Sequence, residues 1–479
     1  MHFHADAWFF RKSLHPRILK FHLLTPTSME QQRRQLLDAP ITPLIIRKAS
    51  PSLVGIFSII FFNLVDTFFV AMLGTDALAG VSFTFPITFA ITSIAMGLGI
   101  GLSSHVGRLL GAEKQQQAAR LTSHSLLFSL LLIISIASLG YLSIFPLFSY
   151  LGAELPVMPY IEQYMQIWYL SVPLLVIPMV GNSAIRASGD SKTPSIVMLV
   201  AGMVNGILDP LLIFGLGPFP AMGVQGAALA TAIAWLITFL VALYMLKFKL
   251  DLLRLEPCSI SQLLRSWQKL LSIAIPAVFS QLLTPIATAL TFVILAKAGT
   301  ATVAAYGFAT RVEALLFIGV MAINSVIPML VGQNVGAGQA QRAQQVVHHG
   351  IRLAVIWQLI LALVMYLLAP LISHSLNHDA EVAELSQYYL QLVPFCYGMM
   401  AVPLLLAQTL NALAKPMHAM VINLVRLFGF MLPAIFLGAL SGSSKVIFLA
   451  IIIAHTLAGL ASLVLLAYLM RQQVWWRQQ

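Results

Sequence analysis

The sequence predicts an all-α polytopic membrane protein in which 12 transmembrane helices form two six-helix, pseudo-symmetric lobes around a central cleft. Three observations predict it: the composition, the alternation of basic connections, and an internal repeat. Of the 479 residues, 59% are hydrophobic and 9% are charged, and the mean hydropathy is +0.89. Soluble domains are about half apolar and about a quarter charged. The composition therefore excludes an ordinary soluble domain.

The apolar runs define the helices. A helix needs about 20 mostly apolar residues to cross the hydrocarbon core. Glycine, proline and charged residues separate the runs. The predicted helices are 44–73, 78–104, 121–146, 160–185, 194–218, 222–247, 269–298, 303–330, 347–370, 384–413, 416–438 and 444–470.

The net charge of +11 is distributed as expected for a protein in a bilayer. Basic residues fall at alternate connections, for example Arg108 after the second helix and Arg186 after the fourth, whereas the intervening connections are poor in them and include acids such as Glu154 and Asp379. The positive-inside rule places the basic connections and both termini in the cytoplasm. We therefore expect contact with membrane lipids and none with nucleic acid.

The segment before the first helix, residues 1–40, is predicted to be a cytoplasmic extension. It lacks the apolar core and the small-residue cleavage site of a signal peptide. Met29 begins the plausible alternative start MEQQRRQLLDAP. We expect residues 1–28 to be dispensable. Loss of membrane insertion in a chain that starts at Met29 would contradict this.

An internal repeat divides the chain at one constant offset. Pro51 matches Pro276 (276 − 51 = 225) and Gly111-Ala112 matches Gly336-Ala337 (336 − 111 = 225). The predicted first lobe is 41–247, the cytoplasmic linker 248–268, the second lobe 269–470 and the cytoplasmic tail 471–479. Parallel repeats of this kind bind their ligand between the halves, near the middle of the membrane. One chain would enclose the whole cleft, so a monomer is expected.

Two acids interrupt the apolar helices of the first half. Asp66 lies in NLVDTFF, where a mid-bilayer carboxylate costs about 2.5–3.5 kcal/mol on insertion scales and therefore indicates function. In NGILDP, Asn205 and Asp209 are four residues apart and share a helical face. The alternative is a structural role for each acid, hydrogen-bonded to Ser and Thr.

These side chains predict an oxygen-lined pocket suited to a proton or a sodium ion. Pro210 lacks an amide hydrogen and leaves the Gly206 carbonyl without its helical donor. Neighbouring helices would add Asn182 and Thr231. Through the repeat, Asp66 corresponds to Thr291 and Asp209 to Leu432, so the coupling acids are predicted in the first half alone.

Four side chains are weaker candidates for substrate contact: Phe62, Phe85, Met179 and Met203. Methionine adapts to varied ligands, but such residues are more often lipid-facing or core residues. Glu313 lies two residues after Arg311, so the two do not share a face, and we place the pair at the outer interface. Glu313 is a second coupling acid or, as we prefer, a structural or gating residue. Arg426 either meets a carboxylate, repels cations or snorkels to the interface.

These motifs resemble the multidrug and toxic compound extrusion (MATE) family, particularly its DinF-like branch. The resemblance covers about residues 40–470. It rests on NLVDTFFVAMLGTDALAG, GRLLGA, GQNVGAG, IRASGDSKTP and NGILDP. It implies a bacterial inner-membrane antiporter, not an enzyme and without a cofactor, that exports drugs or organic cations by alternating access. The resemblance also implies a coupling site of Asp66, Asn182, Asn205, Asp209 and Thr231.

The driving ion and the substrate class have alternatives. Residues 273–295 and 390–413 contain no acid, unlike the branch that uses acids on helices 7 and 10, and this favours protons over sodium. The expected cycle protonates Asp66 and Asp209 and lets the first helix bend. A lipid-linked oligosaccharide flippase is the main alternative within the superfamily. An intramembrane enzyme would need a catalytic motif such as HExxH or GxSxG, and an ion channel fits an asymmetric acid site less well.

Overall fold

The computed structural model describes residues 26–254, 257–377, 379–472 and 476, so residues 1–25 of the predicted extension lie outside the described residues. The described chain is helical. Its α-helices are α1 (Pro26–Asp38), α2 (Ile41–Ala71), α3 (Thr75–Gly111), α4 (Gln115–Leu142), α5 (Ile144–Tyr150), α6 (Met158–Ala187), α7 (Lys192–Phe214), α8 (Val224–Tyr244), α9 (Ile260–Ala296), α10 (Thr300–Leu316), α11 (Ile318–Gly336), α12 (Ala340–Leu376), α13 (Ala380–Leu392), α14 (Tyr397–Ala412), α15 (Pro416–Leu424), α16 (Leu432–Ala439) and α17 (Ser444–Arg471).

By length and composition, 12 helices of the described chain could cross a membrane, and each overlaps one predicted helix. The all-α fold with 12 spans is therefore confirmed. Several spans are longer than predicted: α3, α9 and α12 are each 37 residues long. The polar residues at their ends extend the helices beyond the apolar runs.

Three spans of the second half are interrupted where the first half is continuous. Phe317 separates α10 from α11, a 3₁₀ turn (Val393–Cys396) separates α13 from α14, and a π-helical segment (Val425–Met431) separates α15 from α16. Their counterparts in the repeat, α3, α6 and α7, are each a single helix. The predicted uninterrupted helix 303–330 is therefore wrong at Phe317. Breaks of this kind within spans commonly mark functional positions.

The repeat is visible as a twofold crossing of α3 and α11. A Cβ added at Gly107 would lie 3.7 Å from Gly332 Cα, and one added at Gly332 would lie 3.5 Å from Gly107 Cα. The same atom at Gly336 would overlap the carbonyl oxygen of Arg108. The two helices approach this closely because glycine has no side chain.

Hydrogen bonds join the halves at the end of the bundle that carries the basic connections. Ser104 Oγ donates to the Asn411 carbonyl oxygen at 2.6 Å, and Gln333 Nε2 donates to the Ala187 carbonyl oxygen at 2.6 Å. α1 covers the same end, because Arg33 pairs with Glu113 of the α3–α4 turn. A start at Met29 would remove only the first residues of α1.

Candidate functional site

The carboxylates of Asp66 and Asp209 lie at the same end of two packed helices. α2 packs against α7 and α7 against α8. Each acid is five residues before the end of its helix (71 − 66 = 5; 214 − 209 = 5). Thr231 is seven residues after the start of α8 at Val224 (231 − 224 = 7), so three neighbouring helices contribute polar groups at one level.

Asn205 connects two of these groups. Its Nδ2 donates to Asp209 Oδ1 at 3.2 Å and to Thr231 Oγ1 at 3.3 Å. The four-residue spacing of Asn205 and Asp209 on α7 allows the first bond, as the sequence predicts. The amide therefore orients the carboxylate toward the helix that carries Thr231.

The carboxylates have unused hydrogen-bonding capacity. Asp209 is 0% exposed. Within the described residues, Asp209 Oδ2 and Asp66 Oδ1 are buried and have no hydrogen-bond partner. The two acids are close enough to interact electrostatically. Ionising both would bring two like charges together in a medium of low dielectric, which is costly unless a proton or another cation binds.

Tyr164 of α6 belongs to this cluster, and sequence reasoning missed it. Its side chain interacts electrostatically with both Asp66 and Asp209. Tyr164 corresponds at the repeat offset to Tyr389 (389 − 164 = 225), which lies beside a carboxylate of the second half. Extending the repeat to the fourth helix of each half would have identified it.

Asn182 is not brought to the acids. It lies 18 residues beyond Tyr164 on α6 (182 − 164 = 18), which is about 27 Å along a helix that rises 1.5 Å per residue. Its neighbour Gly181 faces Leu246, 15 residues beyond Thr231 (246 − 231 = 15). Helix register, which motif spacing does not reveal, therefore separates Asn182 from the cluster.

The four predicted substrate-contact residues fall into two groups. Phe62 packs against α7, where a side chain at Gly202 or Gly206 would meet its ring, and Met179 packs against the core of the first half. Phe85 and Met203 are 65% and 49% exposed. Phe85 and Met203 thus lie on the surface of the bundle, whereas Phe62 and Met179 pack between helices.

A second polar cluster surrounds Glu313 inside the second half. Its Oε2 accepts hydrogen bonds from the hydroxyls of Tyr397 (2.9 Å) and Tyr389 (3.1 Å). Arg426 is 5% exposed and interacts electrostatically with Glu313. Glu313 lies 13 residues into α10 (313 − 300 = 13), about 20 Å along its axis. The predicted interfacial position of Glu313 is therefore wrong, and a snorkelling Arg426 is wrong as well.

The helix breaks of the second half coincide with this cluster. Glu313 lies one turn before the break at Phe317, and Tyr389 and Tyr397 flank the 3₁₀ turn. Arg426 lies within the π-helical segment. A buried charge needs several partners with fixed geometry, and local departures from α-helix are frequent at functional positions.

We expect Tyr397→Phe to destabilise the protein by about 1–3 kcal/mol, because a hydrogen bond to a charged group is lost without a replacement. Thermal unfolding in detergent measures this. Tyr366→Phe is the control, because the Tyr366 side chain lies at the exposed surface of α12. Equal melting temperatures for the two variants would contradict the role assigned to the Tyr397 hydroxyl.

Comparisons with known proteins agree with this architecture. The MatE family profile matches residues 51–211 and 276–437. The two matches begin 225 residues apart (276 − 51 = 225), the offset of the internal repeat. The chain is 41% identical over 431 residues to a FAD transporter of Shewanella oneidensis, which covers 90% of this chain and 95% of the relative.

Two further relatives extend the comparison. A probable multidrug resistance protein, YoeA of Bacillus subtilis, is 26% identical over 415 residues, covering 85% of this chain and 88% of the relative. The crystal structure of the Vibrio cholerae MATE transporter VcmN in the bent form superposes with a TM-score of 0.85 at 30% identity, covering 94% of this chain and 100% of VcmN. With both halves matched, this chain belongs to the MATE (MatE) family of secondary membrane transporters.

Proposed function

We propose that this MATE-family protein exports a flavin dinucleotide, FAD or a close analogue, in exchange for protons that bind in the first half. The cation-coupling site consists of Asp66, Asn205, Asp209 and Thr231, with Tyr164 beside them. The observation that carries the coupling is the environment of Asp209, which is 0% exposed and has one carboxylate oxygen without a partner among the described residues. The DinF-like assignment, the bacterial inner membrane and cytoplasmic termini belong to the same proposal.

Protons suit this cluster better than a resident metal ion would. The hydrogen bonds of Asn205 occupy one oxygen of Asp209 and the hydroxyl oxygen of Thr231. The free carboxylate oxygens of Asp66 and Asp209 are acceptors that a proton can use directly. Sodium remains the alternative because it binds the same oxygen ligands.

Coupling follows if the two conformations differ in affinity for the proton. Protonation removes charge at the contact between α2 and α7. Phe62, one helical turn before Asp66, packs against Gly202 and Gly206 at that contact. A change in the charge of Asp66 therefore acts where α2 and α7 would separate or repack. Deprotonation toward the cytoplasm returns the transporter to its starting conformation.

The identity of the substrate rests on the relatives. A relative that is 41% identical over 90% of this chain is described as a FAD transporter, whereas the multidrug relative YoeA is 26% identical. Export of cationic drugs is the second candidate, favoured by the acids of the first half. A dinucleotide carries aromatic rings and two anionic phosphates, so its site must provide aromatic surface and positive charge. A site for cationic drugs would not need this combination of aromatic surface and positive charge.

Reconstituted liposomes distinguish these functions. The flux of FAD and that of ethidium, a cationic dye, are measured with a pH gradient and a sodium gradient imposed separately. We expect FAD flux driven by the pH gradient. Flux driven only by sodium would replace the proton as coupling ion, and movement of ethidium without FAD would establish drug export instead.

A further inference from the structure

The two charged residues of α10 lie on opposite sides of the helix. Glu313 faces the tyrosines of the second half. Arg311 is two residues earlier, which is a rotation of about 200° at 3.6 residues per turn. Its side chain is exposed, and within the described part of the chain it forms no ion pair with an acid.

Helix periodicity relates the exposed side of α10 to the side of α11 that meets the first half. Arg311 lies 25 residues before Gly336 (336 − 311 = 25), close to seven helical turns. Phe317 keeps right-handed helical angles (φ −80°, ψ −9°), so this direction continues through the break. Gly336 contacts Arg108 of α3. Arg311 therefore points along the direction in which α11 meets the first half.

The helices α10 and α11 have different neighbours. α11 packs against α2 and α3, whereas the main neighbours of α10 are α13 and α9 of its own half. Arg311 lies 11 residues after the first residue of α10 (311 − 300 = 11), about 17 Å along the helix axis. An exposed cation at that depth is costly in hydrocarbon and is found where helices line water-filled cavities. The position indicates a residue of the cleft wall.

Contacts on the opposite side of α10 fix the rotation of the helix and therefore the side on which Arg311 lies. The hydroxyls of Tyr389 and Tyr397 hold Glu313 on the far side of α10. Gln358 Nε2 donates to the Leu316 carbonyl oxygen at 3.1 Å, which anchors the end of the helix at the break. Rotation of α10 would break these bonds. The buried cluster of the second half thus holds Arg311 on the exposed side of α10, away from Glu313.

We propose that Arg311 binds a phosphate group of the exported dinucleotide, an inference that rests on the proposed function. A guanidinium group donates two parallel hydrogen bonds to phosphate oxygens, which gives both affinity and orientation. The acids Asp66 and Asp209 repel phosphate from the first half. The anionic part of the substrate is therefore held against the second half, and the proton site remains separate from it.

Transport kinetics test this assignment in proteoliposomes with a pH gradient. We expect Arg311→Gln to raise the KM for FAD by about 10- to 100-fold, as for the loss of one or two charge-assisted hydrogen bonds. Riboflavin has no phosphate, so its inhibition constant against FAD transport should be the same in wild type and variant. Arg311→Lys should retain part of the affinity, because it keeps the charge without the paired donors. Arg352→Gln on the exposed surface of α12 is the matched control and should behave as wild type.

The outcomes separate the inference from the proposed function. An unchanged KM for FAD in Arg311→Gln would overturn the role of Arg311 while FAD export stands. If wild type moves no FAD, the proposed substrate is wrong, and thermal stabilisation by inorganic pyrophosphate then decides the inference. Stabilisation of wild type and Arg352→Gln but not of Arg311→Gln supports an anion site at Arg311, and its absence in all three overturns it.

Discussion

Asp209→Asn should abolish proton-driven transport while the protein remains folded. The amide has nearly the shape of the carboxylate and can still accept the hydrogen bond from Asn205, but it cannot take up a proton. We expect the gradient-driven rate to fall by about 100-fold, the upper part of the range for coupling between sites. Thermal stability should equal or exceed that of wild type, because a buried ionisable group is removed.

Initial rates in liposomes with and without a pH gradient measure this effect. Asp76→Asn is the matched control, since Asp76 is an exposed acid in the first turn of α3. Asp66→Asn should behave as Asp209→Asn. Retention of a response to the pH gradient in Asp209→Asn would remove this acid from the coupling site.

Gly336→Ala should weaken the contact between α3 and α11. The added methyl group would overlap the backbone carbonyl oxygen of Arg108, which cannot move without displacing α3. Overpacking of this kind typically costs about 1–3 kcal/mol. We expect a lower melting temperature, and a loss of transport if the proposed cycle returns both halves to this contact.

Gly307→Ala on α10 is the control for this substitution. At Gly307 the nearest atom to an added Cβ is on the Phe292 ring, at 3.9 Å, an ordinary van der Waals distance. Its thermal stability should match that of wild type. A melting temperature for Gly336→Ala as high as that of Gly307→Ala would show that the close crossing of α3 and α11 is not needed for stability.

The sequence by itself determined the number of spans and the duplication. Apolar runs must be long enough to cross hydrocarbon, and this one-dimensional requirement is read directly from hydropathy. The repeat fixed which helices correspond. The spacing of Asn205 and Asp209 likewise predicted the hydrogen bond that the structure shows, because four residues on one helix share a face regardless of packing.

Only the tertiary structure decided which polar groups meet. Asn182 is separated from the acids because its place along α6 sets its depth, and Tyr164 joins them because α6 passes close to both carboxylates. Glu313 lies inside the second half, among residues of α13, α14 and the π-helical segment. Contacts between distant segments depend on helix rotation and depth, which hydropathy does not specify. The same reason explains why the breaks in the second half were not predicted: they coincide with a buried charge whose partners come from other helices.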